Sequence, residues 1–113
     1  MKEFMMIFLG ADYQTIGLSP EESQQRMKLW MDWIGDLTAE EKYVEGRPLI
    51  PTATRMSGKS ALVTDGPFVE TKELIGVYFI VKANSLDEVK EMAKGFPDFD
   101  LDGTVEIREV LQM

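Results

Sequence analysis

Residues 4–9 read FMMIFL and stop at Gly10. Every position is apolar, so Phe4, Met6 and Phe8 alternate with Met5, Ile7 and Leu9 on opposite sides of any strand. A strand with one wet face alternates apolar with polar. A strand that is apolar on both faces is covered on both, which predicts a central strand of a sheet. Residues 76–81, GVYFIV, repeat the pattern, with Val77, Phe79 and Val81 opposite Tyr78 and Ile80. Two such strands fix the centre of the fold, and the remaining segments are arranged around them.

Ser19-Pro20-Glu21-Glu22 is a helix start. Ser19 can cap the Glu22 amide, Glu22 can reach back, and Pro20 suits the first helical position. Met27, Trp30, Met31, Ile34 and Leu37 follow at helical spacing, with Leu29 and Trp33 on a neighbouring stripe. The helix is expected to run to about residue 42, with Gly35 and Thr38 weakening its middle. Residues 45–66 read as a loop and then a hairpin, with strands over 52–56 and 60–64 around a Ser57-Gly58-Lys59 turn. Ser85-Leu86-Asp87-Glu88 opens a second helix, which Gly95 is expected to end in the left-handed conformation. PDFDLDG (97–103) reads as a loop, and TVEIREV (104–110) as a half-exposed strand.

The order β-α-β-β-β-α-β makes this an α+β chain, a ferredoxin-like split βαβ unit with an antiparallel sheet and a strand added or interrupted near the hairpin. Residues 1–113 form one domain. Both helices of such a unit lie on one sheet face, which leaves the second apolar face bare. The simplest cover is a second copy of the same sheet. A homodimer packed sheet to sheet would enclose space for a ligand.

The composition narrows the chemistry. Net charge is −8 with no basic stripe, which argues against nucleic acid and against anionic membrane as partners. The chain has no Cys and no His, so thiol catalysis, Cys-bound zinc and imidazole base chemistry are out of reach. No cofactor or metal is expected. Asp98, Asp100 and Asp102 have the spacing of calcium ligands but lack the glycine and distal glutamate of that loop, so they read as solvated. The N-terminal apolar run is too short for a signal peptide or a span and has Glu3 before it, which reads as a buried strand of a cytoplasmic protein.

TDGPFVETKE (64–73) is the segment most open to a functional reading. As a turn, Asp65 accepts backbone amides, Gly66-Pro67 bends the chain and Phe68 points inward. As the lip of a site, Asp65 is an acid/base or ligand-holding carboxylate with Glu70, Lys72 and Glu73 nearby. Trp33, off the main stripe, could floor a pocket, although a Trp on a helix is more often core. Arg47 and Arg55 could hold an anion, although such residues more often balance surface carboxylates.

LVTDGPFVETKELIGVYFIVKANSLDEVKEMA (62–93) resembles the YCII-related proteins, specifically the DGPF-domain branch. EGRPL.PT upstream and GTVEIREV at the end agree, so the resemblance covers nearly the whole chain. It implies a dimeric ferredoxin-like α/β barrel. It also implies a cleft site where relatives carry a His–Asp pair. The Asp carries over to Asp65, and the His has no counterpart in this chain. Association of family members with sigma-factor regions hints at a regulatory setting. Two functions follow as expectations. One is a small-ligand-binding or regulatory homodimer with a pocket near Asp65. The other is a small-molecule enzyme using Asp65 or Glu70 as general acid/base.

Overall fold

The structure is a computed structural model that describes residues 1–10, 12–66 and 75–113. Strand β1 (Lys2–Leu9) is followed by helix α1 (Pro20–Ala39), strands β2 (Tyr43–Pro48), β3 (Thr54–Ser57), β4 (Leu62–Asp65) and β5 (Ile75–Ala83), helix α2 (Leu86–Ala93) and strand β6 (Thr104–Glu109). Four strands form an antiparallel sheet in the order β2-β5-β1-β6. The two-faced strands β1 and β5 lie at its centre, as the continuous apolar runs predict. Phe4 pairs with Val81, Met6 with Phe79 and Phe8 with Val77. These residues share one face and make the core with Trp30, Trp33 and Leu37 of α1 and Val89 and Ala93 of α2. Both helices therefore cover the same side of the sheet.

Phe8 is the hub of that core. Its ring meets Trp30, Trp33 and Phe79 edge-on at 5.0, 5.6 and 4.9 Å, and Phe96 at 5.0 Å. Edge-to-face contacts suit rings with a negative face and a positive rim. The opposite sheet face carries Met5, Ile7 and Leu9 beside Tyr78 and Ile80. Charged residues flank them, Glu106 and Arg108 on β6 and Glu45 and Arg47 on β2. The molecule measures 43 × 43 × 19 Å, the thinness of one sheet under one helix layer.

Several sequence expectations change. The edge strand is β2, in a stretch read as loop, since Gly46 and Pro48 hide its strand character. The predicted hairpin is present but forms a separate two-stranded sheet, with all its residues exposed. Helix α1 is unbroken and ends at Ala39, and Glu41 (φ 59°) takes the left-handed turn that leads into β2. Gly95 does not have positive φ. It is needed for proximity instead, since a Cβ there would run into the Trp33 indole. Residues 97–101 form a 3₁₀ turn, and the left-handed residue after it is Asp102 (φ 62°). No helix among the described residues is long and apolar enough to cross a membrane.

Candidate functional site

A hollow opens between α1 and the helix-covered face of the sheet, with a volume of about 330 Å³. Its wall is mostly apolar. Met27, Trp30, Met31 and Ile34 come from α1, Pro48, Leu49 and Pro51 from β2 and beyond, and Ile75, Val77 and Phe79 from β5. Trp30 is in place because the Ser19–Glu22 capping box starts α1 in the register that points it at Phe8. Both bonds of the box form, Glu22 N–H to Ser19 Oγ at 3.1 Å and Ser19 N–H to Glu22 Oε1 at 3.0 Å.

Three of the lining residues, Tyr13, Trp30 and Asp98, are joined by hydrogen bonds. The Tyr13 hydroxyl, on the loop after β1, donates to Asp98 Oδ2 at 2.7 Å. The Trp30 indole donates to the same hydroxyl oxygen at 3.0 Å. Asp98 Oδ1 is buried with no hydrogen bond among the described residues, and Arg26 Nη1 stands 3.6 Å away. Arg26 grips Asp100 through both nitrogens, at 2.6 and 2.8 Å, and gives a further bond to the Pro97 carbonyl at 2.9 Å. This fork fastens the 3₁₀ turn to α1 and so holds Asp98 against Tyr13. Burial, and then the bond to Asp98, raise the Tyr13 hydroxyl well above the ordinary phenol range, so the group stays neutral. Arg26 holds the Asp100 carboxyl below its ordinary value.

The aspartates with calcium-like spacing thus have other roles. Asp98 accepts from Tyr13, Asp100 pairs with Arg26, and Asp102 turns the chain. Among the described residues no cluster of three or more carboxylates could hold a metal ion.

Of the residues singled out in the sequence, Asp65, Arg55 and Trp33 do not line this cavity. Asp65 is exposed on β4, and its carboxylate accepts the hydroxyl of its cross-strand neighbour Thr54 at 3.0 Å. Among the described residues its carboxylate takes no backbone amide. Arg55 is exposed on β3. Neither is among the residues that line the cavity. Glu70, Lys72, Glu73 and Phe68 lie outside the described residues. Trp33 is 7% exposed and gives its indole N–H to the Met92 carbonyl at 3.2 Å, so it packs α1 on α2, and Trp30 is the indole that faces the cavity. Arg47 is among the lining residues although its register with Tyr78 sets its side chain towards the open sheet face, and its guanidinium donates to the Gly46 carbonyl at 2.8 Å.

Tyr13, Arg26, Trp30 and Asp98 went unread as a site because no local spacing joins them. Tyr13 and Asp98 are 85 positions apart. A tyrosine in a short polar loop and an aspartate behind Pro97 were the available signals, and both are weak.

The sequence pattern of the YCII-related domain matches residues 4–113, nearly the whole chain. The chain belongs to the YCII-related family. A relative of this YCII domain, an uncharacterized protein of Rhizobium meliloti (strain 1021), is 34% identical over 91 residues, covering 71% of this chain and 68% of the relative. Among solved structures the YCII domain is similar to TftG, a 5-chloro-2-hydroxyhydroquinone dehydrochlorinase of Burkholderia phenoliruptrix AC1100, in complex with 2,5-dihydroxybenzoquinone. The TM-score is 0.52 at 16% identity, over 98% of this chain and 95% of TftG, a likeness of fold.

Proposed function

We propose that this YCII domain, of the DGPF branch, is a small-ligand-binding homodimer in which each protomer holds its ligand in the cavity beside Tyr13 and Asp98. The observation that carries the reading is the cavity itself, a hollow of about 330 Å³ with mostly apolar walls into which a hydrogen-bonded group of Tyr13, Trp30 and Asp98 is set. That pattern, apolar walls and a few convergent polar groups, is how proteins hold small molecules. TftG, which shares the fold, is described with a one-ring quinone, and this supports a ligand of similar size. The homodimer rests on the sheet face that carries Met5, Ile7, Leu9, Tyr78 and Ile80, over which no described helix lies. A sheet-to-sheet pair would form the α/β barrel that the resemblance implies.

Asp65, Arg55, Glu70 and Lys72 stay in the proposal as candidate ligand contacts. Asp65 and Arg55 would serve from the exposed hairpin, outside the cavity wall. The support for Glu70 and Lys72 is nearness in sequence to Ile75 and Gly76, which line the cavity. The rival reading is an enzyme. The Tyr13–Asp98 hydrogen bond favours it, since it sets a carboxylate against a phenol in apolar surroundings.

The test is a thermal-shift screen of single-ring compounds followed by mass analysis of the mixture. Binding raises the melting temperature by mass action. A stabilising compound recovered unchanged supports a binding protein, and one that is consumed supports the enzyme. If no compound stabilises the wild type, or if one stabilises Tyr13→Phe and Trp30→Phe as strongly as wild type, the cavity is not the site.

A further inference from the structure

The Tyr13 end of the cavity is built of acceptors, and the remaining side-chain donors among the described lining residues, Tyr43 and Arg47, belong to β2. Tyr13 has one proton to give, and Asp98 Oδ2 takes it. The hydroxyl oxygen already accepts from Trp30, which leaves it one lone pair. Asp98 Oδ1 is without a hydrogen bond among the described residues. The neighbouring cation, Arg26, pairs with Oδ1 only at 3.6 Å and gives its hydrogen bonds to Asp100 and the Pro97 carbonyl. Asp12 adds a further carboxylate to the lining.

We propose that the cavity selects a neutral, ring-sized molecule bearing a hydroxyl, whose O–H is donated to the Tyr13–Asp98 pair. The inference rests on the ligand-site reading above and adds the chemistry of the ligand. A molecule offering only acceptors would meet acceptors and leave buried groups unpaired. A carboxylate at this end would face Asp12 and Asp98, in a chain of net charge −8, and among the described residues the one cation in the lining, Arg47, is turned onto the Gly46 carbonyl. A cation would suit the carboxylates but would lose its hydration inside apolar walls. Size points the same way. A cavity of roughly 150 Å³ accommodates benzene, and this one, at about 330 Å³, has room for one substituted ring.

The two tryptophans make the test direct. Trp30 bonds Tyr13 at that end of the cavity, whereas Trp33 bonds the Met92 carbonyl in the core. In ¹⁵N-labelled full-length protein, the indole N–H signals are followed during titration with phenol, anisole, toluene, benzoate and benzylamine. Phenol is expected to move the Trp30 signal, leave that of Trp33 in place, and bind about tenfold tighter than anisole, which lacks the donor. Asp98→Asn is expected to bring that ratio towards one. If the variant does not fold, the wild-type panel decides alone. Equal affinity for phenol, anisole and toluene would overturn the donor inference and leave the ligand site standing. So would tighter binding of benzoate or benzylamine. No response to any of the five would remove the ligand site and this inference with it.

Discussion

A methyl group added at Gly46 would stand 2.5 Å from Phe79 Cδ1, 2.7 Å from the Tyr43 hydroxyl and 2.8 Å from the Tyr78 carbonyl. Two of these neighbours are rings of the cavity wall and the third is backbone, so the site cannot relax cheaply. Gly46→Ala is expected to destabilise by about 1–3 kcal/mol, read as a lowered denaturation midpoint. Tyr13→Phe removes a donor from Asp98 and an acceptor from Trp30, and about 1–3 kcal/mol should be lost on the same readout. The titration of these side chains has a sign. Tyr13 is raised in the fold, so the stability it lends is complete below the ordinary phenol value of about 10 and is lost as pH rises beyond it. Glu88, through its bond to Lys42, and Asp100, through Arg26, are lowered. Their contribution is present above the ordinary carboxylate value of about 4 and fades as pH falls below it. Urea midpoints measured from pH 3 to 11 should therefore drop at both ends. Little of this was legible in the sequence, since a glycine in a strand shows neither which ring approaches it nor how closely.

Elements were easier to read, and the reasons are local. Ser19 and Ser85 each accept the amide three residues on, at 3.1 and 3.2 Å, as their Ser-x-x-Glu spacing predicts. Ser19→Ala and Ser85→Ala should each cost about 1 kcal/mol in a urea melt. The runs at 4–9 and 76–81 gave the central strands because burial on both faces leaves a contiguous apolar signature. Strand β2, YVEGRP, left no such mark. Its pairing with β5 depends on main-chain bonds, and its side chains face the cavity rim and solvent. The hairpin was legible as a hairpin. Its separation from the main sheet was not, because turn residues specify which two strands meet and say nothing about what lies beneath them. On α1 the helical spacing allowed Trp30 and Trp33 to exchange roles, and only the indole bonds, Trp30 to Tyr13 and Trp33 to Met92, decide between them.

At the scale of the whole molecule, the proposed homodimer rests on the sheet face of Met5, Ile7 and Tyr78. Ile7→Asp would put an unpaired charge between two such faces, and light scattering should show a monomer where the wild type is a dimer. A wild type that scatters as a monomer at micromolar concentration would end the homodimer proposal. Phe8→Ala, which empties the centre of the aromatic cluster, should cost about 3–5 kcal/mol. The order of the strands has one more consequence. β1 and β2 precede the hairpin, β5 and β6 follow it, and all three ladders, β1–β5, β1–β6 and β2–β5, join one half of the chain to the other. Neither half can pair its own strands of the main sheet, so a ribosome that has delivered residues 1–66 has made the β3–β4 hairpin and no ladder of that sheet. For the same reason a cut between Gly58 and Lys59 would break no ladder of the main sheet. The two pieces, made separately, should remain unfolded alone and recover the sheet when mixed.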